Sequence, residues 1–242
     1  MEKLYMIMPA YNEEETIGQS VREWHEVVKN VNSASRLVVI NDGSTDSTWQ
    51  KLKELAAGLS QLEILTKENG GHGQTVLYGY RYAVSAGADY IFQTDSDGQT
   101  LPEEFPAFWR RRKKYDAIIG VRSRREDGFS RVFVTKTLKF LLRLIFGLHV
   151  PDANTPFRLM KKELLETYLH RMPPGFYLPN VLLTVLFLYH QENVKFLPVT
   201  FRPRQGGVNS IHFGKIVKIG FRAVRDFVII RKTMRGKENT VG

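Results

Sequence analysis

Asp95 and Asp97 stand one residue apart in the run Thr94-Asp95-Ser96-Asp97-Gly98-Gln99. In an extended segment alternate side chains share a face, so both carboxylates and the Gln99 amide would point the same way. Oxygen donors without sulfur or imidazole suit a hard divalent cation such as Mg2+ or Mn2+. Two carboxylates rarely fill such a coordination sphere, so water or a ligand's oxygens would complete it. A turn rich in Asp, Ser and Gly needs no metal, and the run alone does not choose between the two readings. An EF-hand calcium loop is excluded, because its sixth position would be Thr100 instead of glycine and its twelfth Pro106 instead of glutamate.

Other polar clusters carry chemistry of their own. Tyr11 offers a stacking face, and Glu13 and Asp42 can accept from hydroxyls or a ring N–H. Glu14 and Glu15 read as helix N-terminal acids facing the dipole, which needs no ligand. Asn69-Gly70-Gly71-His72-Gly73 resembles a phosphate-cradling loop, but it lacks the Lys-Ser/Thr ending of a Walker A motif. His72 would touch an anion there, or simply sit in a turn. Arg122, with Arg124, Arg125 and Arg131 close by, offers guanidinium forks suited to phosphate oxygens.

The elements that must position these groups follow from periodicity. Residues 3–8 form a short apolar strand expected to end at Pro9, and 36–40 and 62–66 are β-branched strands. Residues 89–94 are a fourth strand running into Asp95. Helices are expected over 13–31, 46–59 and 74–86, giving an α/β pattern with a mostly parallel sheet. In such sheets ligands bind at the carboxyl ends of the strands, where Pro9–Glu13, Asn41–Asp46, Asn69–Gly73 and Asp95–Gln99 would converge. Beyond residue 100, helices are expected at 102–114, 161–170 and 179–190, and strands at 116–121 and 194–201. Basic amphipathic helices are expected at 131–149 and from 213 to 235.

The 242 residues allow one α/β domain with a full core, and 43% hydrophobic content is ordinary for a globular chain. No cysteine is present, which excludes disulfides, thiolate catalysis and zinc–thiolate sites. The net charge of +10 suits phosphates, nucleic acid or an anionic membrane without choosing among them. No zinc finger, helix-turn-helix or RNA-recognition signature is present, so nucleic acid is not expected as a partner. The first residues lack a signal-peptide pattern. The apolar stretches 140–150 and 181–189 fall short of the roughly 20 residues that span a bilayer.

PAYNEEETI at 9–17, VINDGSTDST at 39–48, TDSDGQ at 94–99, IGVR at 119–122 and DANTPFRLMKKELL at 152–165, with the arginine–glycine stretch at 204–210, carry a resemblance. The chain resembles the family 2 inverting glycosyltransferases, most closely the dolichyl-phosphate mannosyltransferase and polyprenyl-phosphate glucosyltransferase branch. The resemblance spans about residues 4–210 and implies a single GT-A domain, a Rossmann-like, mostly parallel α/β sheet, followed by a basic amphipathic helix and tail over 211–242. It implies a nucleotide-sugar donor of the UDP-glucose or GDP-mannose type, held by Pro9, Tyr11, Glu13, Ile40, Asp42, Asp95 and Ser96. Asp95, Asp97 and Gln99 would hold Mg2+ or Mn2+, which would neutralise charge on the departing nucleoside diphosphate.

The resemblance further implies that Arg122 and Arg204 meet phosphate and that Asp152 is a functional carboxylate. A hydroxyl acceptor on a cell-surface glycan would need Asp152 as general base, whereas a phosphate acceptor is already anionic and needs none. Asp152 would otherwise cap its turn or orient Arg158. The basic amphipathic helices favour a polyprenyl-phosphate acceptor at a membrane surface, with the protein cytoplasmic and peripheral on the inner face of the membrane. Such helices commonly pack on their own domain instead. One departure bears on the acceptor: Ser210 stands where the branch usually has lysine, with Lys215 and Lys218 as candidate substitutes. A non-catalytic nucleotide-binding or nucleic-acid-binding protein is the remote alternative. A homo-oligomer is compatible with the sequence.

Overall fold

The computed structural model describes residues 1–122, 129–173, 175–203 and 224–231, with side chains of 129–135 left out. Its elements alternate as the periodicity predicts: β1 (Leu4–Ala10), α1 (Ile17–Val31), β2 (Arg36–Asn41), α2 (Thr48–Gly58), β3 (Leu62–Thr66), α3 (His72–Ser85) and β4 (Tyr90–Gln93). Then follow α4 (Phe105–Trp109), β5 (Ala117–Arg122), α5 (Phe129–Phe146), β6 (Arg158–Lys161), α6 (Lys162–Leu169), α7 (Pro179–Tyr189) and β7 (Val194–Val199). They build one seven-stranded sheet in the order β3-β2-β1-β4-β6-β5-β7. Strands β1 to β4 are mutually parallel, while β6 runs antiparallel to both β4 and β5. This is the α/β, GT-A-like architecture expected.

Both faces of the sheet are covered at its centre, so β1, β2 and β4 are buried along almost their whole length rather than alternating. Ile7, Val38, Ile40 and Ile91 pack with Val76 and Tyr80 of α3 and with α7. Met6, Met8, Val39 and Phe92 pack with Val21 and Trp24 of α1 and with Phe105 and Phe157. Gly79 lets α3 lie directly on the sheet: a Cβ there would stand 2.3 Å from Ile7 Cγ2. Helix α7 is buried on every side from Pro179 to Phe187, which accounts for its continuous apolar run. Among the described residues no helix is long and apolar enough to cross a membrane.

Several expectations are corrected. Pro9 does not end β1; it pairs in register with Ile40. Ala10 O accepts from Asp42 N on the β2 side and Ile7 O from Thr94 N on the β4 side. Pro9 therefore directs its missing N–H toward β4, whose ladder has already stopped at Ile7 and Gln93, and no bond is lost. The helix expected at 102–114 is a 3₁₀ turn (Pro102–Glu104) and the short α4, followed by turns. Strand β6 was not expected. The helix expected from 213 to 235 is described only at 224–231, where Phe227 packs against Phe146 and Phe176. The domain boundary expected at 210 lies outside the described residues.

Candidate active site

Because β1 to β4 are parallel, the loops that follow them meet at one edge. Asn12, in the left-handed region at φ 51°, accepts from Thr45 N at 2.8 Å, while its own N–H donates to Ser44 Oγ at 3.0 Å. Asparagine tolerates that backbone better than most residues. Glu13 N donates to Thr48 Oγ1 at 2.9 Å, and Glu13 Oε2 accepts from the Thr16 hydroxyl at 3.0 Å. The β1 and β2 loops are thus stitched together. Glu14 corrects its expectation: its carboxylate accepts from Ser47 N at 3.0 Å, at the start of α2 rather than of α1.

Asp42 is buried, and its carboxylate accepts from Gly70 N and Gly71 N, each at 2.9 Å, and from Lys67 Nζ. Its side chain therefore anchors the glycine loop before α3. Tyr11 is exposed at the same edge, with its ring available for stacking. Pro9 is buried, and Ile40 lies wholly in the core, where its Cδ1 would be 3.0 Å from a Cβ at Gly79. At Ile40 only the backbone can face a nucleotide.

Asp95 begins the loop after β4. Its Oδ1 is buried without a hydrogen-bond partner, and His72 Nε2 stands 4.0 Å away. Asp97 Oδ1 accepts from Gln99 N at 3.1 Å, an Asx-turn, with Gly98 at φ 72°. The segment is therefore a turn that presents carboxylates, and the turn by itself does not choose between the two sequence readings. Ser96 is buried, and its carbonyl accepts from Ser20 Oγ of α1 at 2.9 Å. Gln99 Nε2 donates to Arg202 O at 3.1 Å, and Arg202 N donates to Gln99 O at 2.9 Å.

An unpartnered buried carboxylate oxygen is what a hard cation would satisfy, and Asp95 with Asp97 and Gln99 supplies an oxygen-only donor set. Among the described residues no group of three His, Cys, Asp or Glu is gathered to hold a metal unaided. A cation here would draw the rest of its shell from ligand or water.

Across the site Arg122, at the end of β5, forms a two-pronged pair with Asp152: Nε to Oδ2 at 2.8 Å and Nη2 to Oδ1 at 3.1 Å. Asp152 also accepts from Asn154 N at 3.3 Å, so it caps its turn as one reading expected, but its partner is Arg122 rather than Arg158. The Arg122 guanidinium lies 5.5 Å from the Phe201 ring centroid. Arg204, Ser210, Lys215, Lys218, Arg124, Arg125 and the Arg131 side chain lie outside the described residues.

Beneath these loops runs a polar layer that the sequence did not flag. Tyr80 OH donates to Gln93 Oε1 at 2.5 Å and lies 3.1 Å from Asn180 Oδ1. Burial pushes the Tyr80 phenol well above its usual range. Burial likewise pushes the Arg158 guanidinium down, against the opposing fields of Tyr80, Asp152 and Asp95. A buried tyrosine at helical spacing reads as core in a sequence, and only its hydroxyl's contacts with Gln93 and Asn180 show otherwise.

The family model Glycosyl transferase family 2 matches residues 5–169. The undecaprenyl-phosphate 4-deoxy-4-formamido-L-arabinose transferase of Pectobacterium carotovorum subsp. carotovorum is 22% identical over 222 residues. That alignment covers 90% of this chain and 65% of the relative, so the chain spans about two thirds of the relative's length. Glucosyl-3-phosphoglycerate synthase from Mycobacterium tuberculosis, solved with Mn2+ and UDP-glucose, superposes with a TM-score of 0.66 at 17% identity, over 95% of this chain and 79% of that one. A further mycobacterial protein gives 0.65 at 18% identity, over 95% and 74%. With the site loops, sheet order and family match in agreement, the chain belongs to glycosyltransferase family 2.

Proposed function

We propose that the protein is an inverting hexosyltransferase that moves a sugar from a nucleotide-diphosphate donor to a polyprenyl phosphate at the cytosolic membrane face. The observation that carries this reading is the Arg122–Asp152 fork. A hydroxyl acceptor needs a base, and Asp152 would have to open that fork to serve as one. An acceptor phosphate arrives anionic and needs a held guanidinium instead. The relative's name, an undecaprenyl-phosphate sugar transferase, points the same way.

Tyr11, Glu13 and the Asp42-anchored loop frame the nucleotide of a UDP-glucose or GDP-mannose type donor. Asp95, Asp97 and Gln99 would hold Mg2+ or Mn2+, whose chemistry is to neutralise charge on the departing nucleoside diphosphate. Mn2+ and UDP-glucose bound to the superposed synthase support that choice. An acceptor phosphate oxygen attacks the anomeric carbon from the opposite face, and the carbon–oxygen bond to the diphosphate breaks with its electron pair leaving on the diphosphate. Arg122, oriented by Asp152, and Arg204 hold the acceptor phosphate. Residues 1–210 form the transferase unit, and 211–242 a basic C-terminal segment that Phe227 fastens to it through Phe146 and Phe176.

Exposed Phe140 and Leu144 on α5, with Val228 and Ile229 nearby in sequence to Phe227, which packs on Phe146, support contact with lipid. Lys136, Lys139 and Arg143 are exposed on the same helix and suit anionic headgroups. A panel of nucleotide sugars, scored by released nucleoside diphosphate with and without Mn2+ and a short polyprenyl phosphate, tests the reading. Metal-dependent release stimulated by the lipid phosphate is expected. Release without such stimulation across the panel would overturn the acceptor assignment.

A further inference from the structure

Arg158 is among the largest fully buried side chains, yet among the described residues no carboxylate lies within salt-bridge distance of it. Its fork is spent on neutral acceptors. Nε donates to Thr155 O at 3.0 Å, and Nη2 to Thr155 O at 2.8 Å and Ala153 O at 3.1 Å. Nη1 donates to Asn180 O at 3.1 Å and Thr184 Oγ1 at 3.4 Å. Residues 152–157 form no regular structure; Phe157 O accepts from Gly120 N on β5, whereas among the described residues the Ala153 and Thr155 carbonyls accept from side chains, Thr155 O from Arg158 and Ala153 O from Arg158 and the Thr184 hydroxyl.

A buried cation costs several kcal/mol unless it is compensated, on the order of what breaking a buried pair costs. Here the compensation comes from carbonyl dipoles, with the fields of Asp152 and Asp95 acting in the same sense. The register ties the two sides together, since Arg158 pairs with Gln93 on β4 and with Ile119 on β5. Gln93 and Asn180 are bridged by the Tyr80 hydroxyl, and Gln93 leads directly into Thr94 and Asp95.

We propose that Arg158 is a positioning residue that fixes the Ala153–Thr155 turn, and with it the Arg122–Asp152 fork, at a set separation from the Asp95 loop. It touches no substrate; it acts through the turn. Lysine cannot span Ala153 O, Thr155 O and Asn180 O at once, because it lacks the planar fork. The proposal deepens the transfer reading above and rests on it for its kinetic consequence.

The test compares Arg158→Lys and the milder Thr184→Val with the unsubstituted protein. Expected for Arg158→Lys are binding of UDP or GDP with Mn2+ within about threefold and a kcat lower by about 10–100-fold, the usual consequence of misplacing a reacting group. Amide exchange at 152–157 should rise about tenfold while 89–94 stay unaltered. Thr184→Val should move the same quantities in the same direction by less, and it carries the test if Arg158→Lys does not fold. Unchanged exchange at 152–157, exchange raised equally over β4, or donor affinity falling as far as kcat would each overturn the proposal. Absence of transfer in the unsubstituted protein would overturn the transfer reading instead, and the exchange data would still judge Arg158.

Discussion

Replacing Asp42 by asparagine asks whether its carboxylate serves the loop or a ligand. The side chain is 3% exposed and its two oxygens receive the Gly70 and Gly71 amides and the Lys67 ammonium. Asparagine offers one acceptor oxygen and an NH2 group. One glycine amide would then face a donor, and Lys67 would lose its ionic partner. Hydrogen bonds to a charged group contribute about 1.5–3 kcal/mol each, so losing one and weakening two should cost about 3 kcal/mol. With an m-value of about 2–3 kcal/mol/M in urea, the unfolding midpoint should fall by about 1 M. The three tryptophans report the transition by fluorescence. Donor affinity should fall as well, because the loop before α3 loses its anchor. A midpoint within about 0.2 M of the parent, together with lost donor binding, would refute the anchoring argument and assign the carboxylate to the ligand.

Asp97→Ala should abolish both transfer and Mn2+-dependent donor binding in calorimetry, and retained turnover would contradict the cation assignment. Gly79→Ala puts a methyl 2.3 Å from Ile7 Cγ2 and 3.0 Å from Ile40 Cδ1. Such overpacking costs about 1–3 kcal/mol, a drop of several degrees in Tm, and an unchanged melt would show that α3 can lift off the sheet cheaply. Burial pushes the Asp46 carboxyl up, but the Thr48 hydroxyl and the amides of Thr48, Glu14 and Asp46 outweigh it and hold it below its ordinary 3.8. A lowered folded pKa gives stability that is present above 3.8 and lost as pH falls through the folded value, so Asp46→Asn should lag the parent at neutral pH and converge with it in acid. Phe140→Glu combined with Leu144→Glu should weaken sedimentation with anionic vesicles and leave hydrolysis of soluble donor intact; equal sedimentation would remove α5 from the membrane face.

The parallel half of the sheet was legible because β-branched runs such as Arg36–Ile40 alternate with helical spacing and polar loops. Strand β6 was hidden because Arg-Leu-Met-Lys carries a cation at each end and is only four residues long. Its burial is decided by β4 and β5, which lie on either side of it. The helix over 102–114 was overread because the basic run after Trp109 continues a helical pattern in composition but only turns in space. Within the site, residue types pointed to carboxylates at strand ends, and the loops do meet there. What composition could not reveal was occupancy. The donors on Asp42 include two backbone amides, which have no signature in a sequence, and the Arg122–Asp152 pair joins residues 30 apart. Ile40 illustrates the converse: a motif residue at a strand end whose side chain turns inward.

The paired bonds between Gln99 and Arg202, with the bridge between Thr100 and Phe201, have a consequence for how the protein is made. The Asp97 turn is synthesised early, but Arg202, which closes on Gln99, lies 103 residues beyond it. Closing so large a ring is entropically costly and slow, so this contact belongs to the last stages of folding rather than to the first. A nascent chain can therefore complete its β1-to-β4 sheet, with β1, β2, β3 and β4 already in place, while the Asp97 turn still lacks its far-side support. The loop edge that carries the Asp97 turn is complete only once the chain has come round to residue 202.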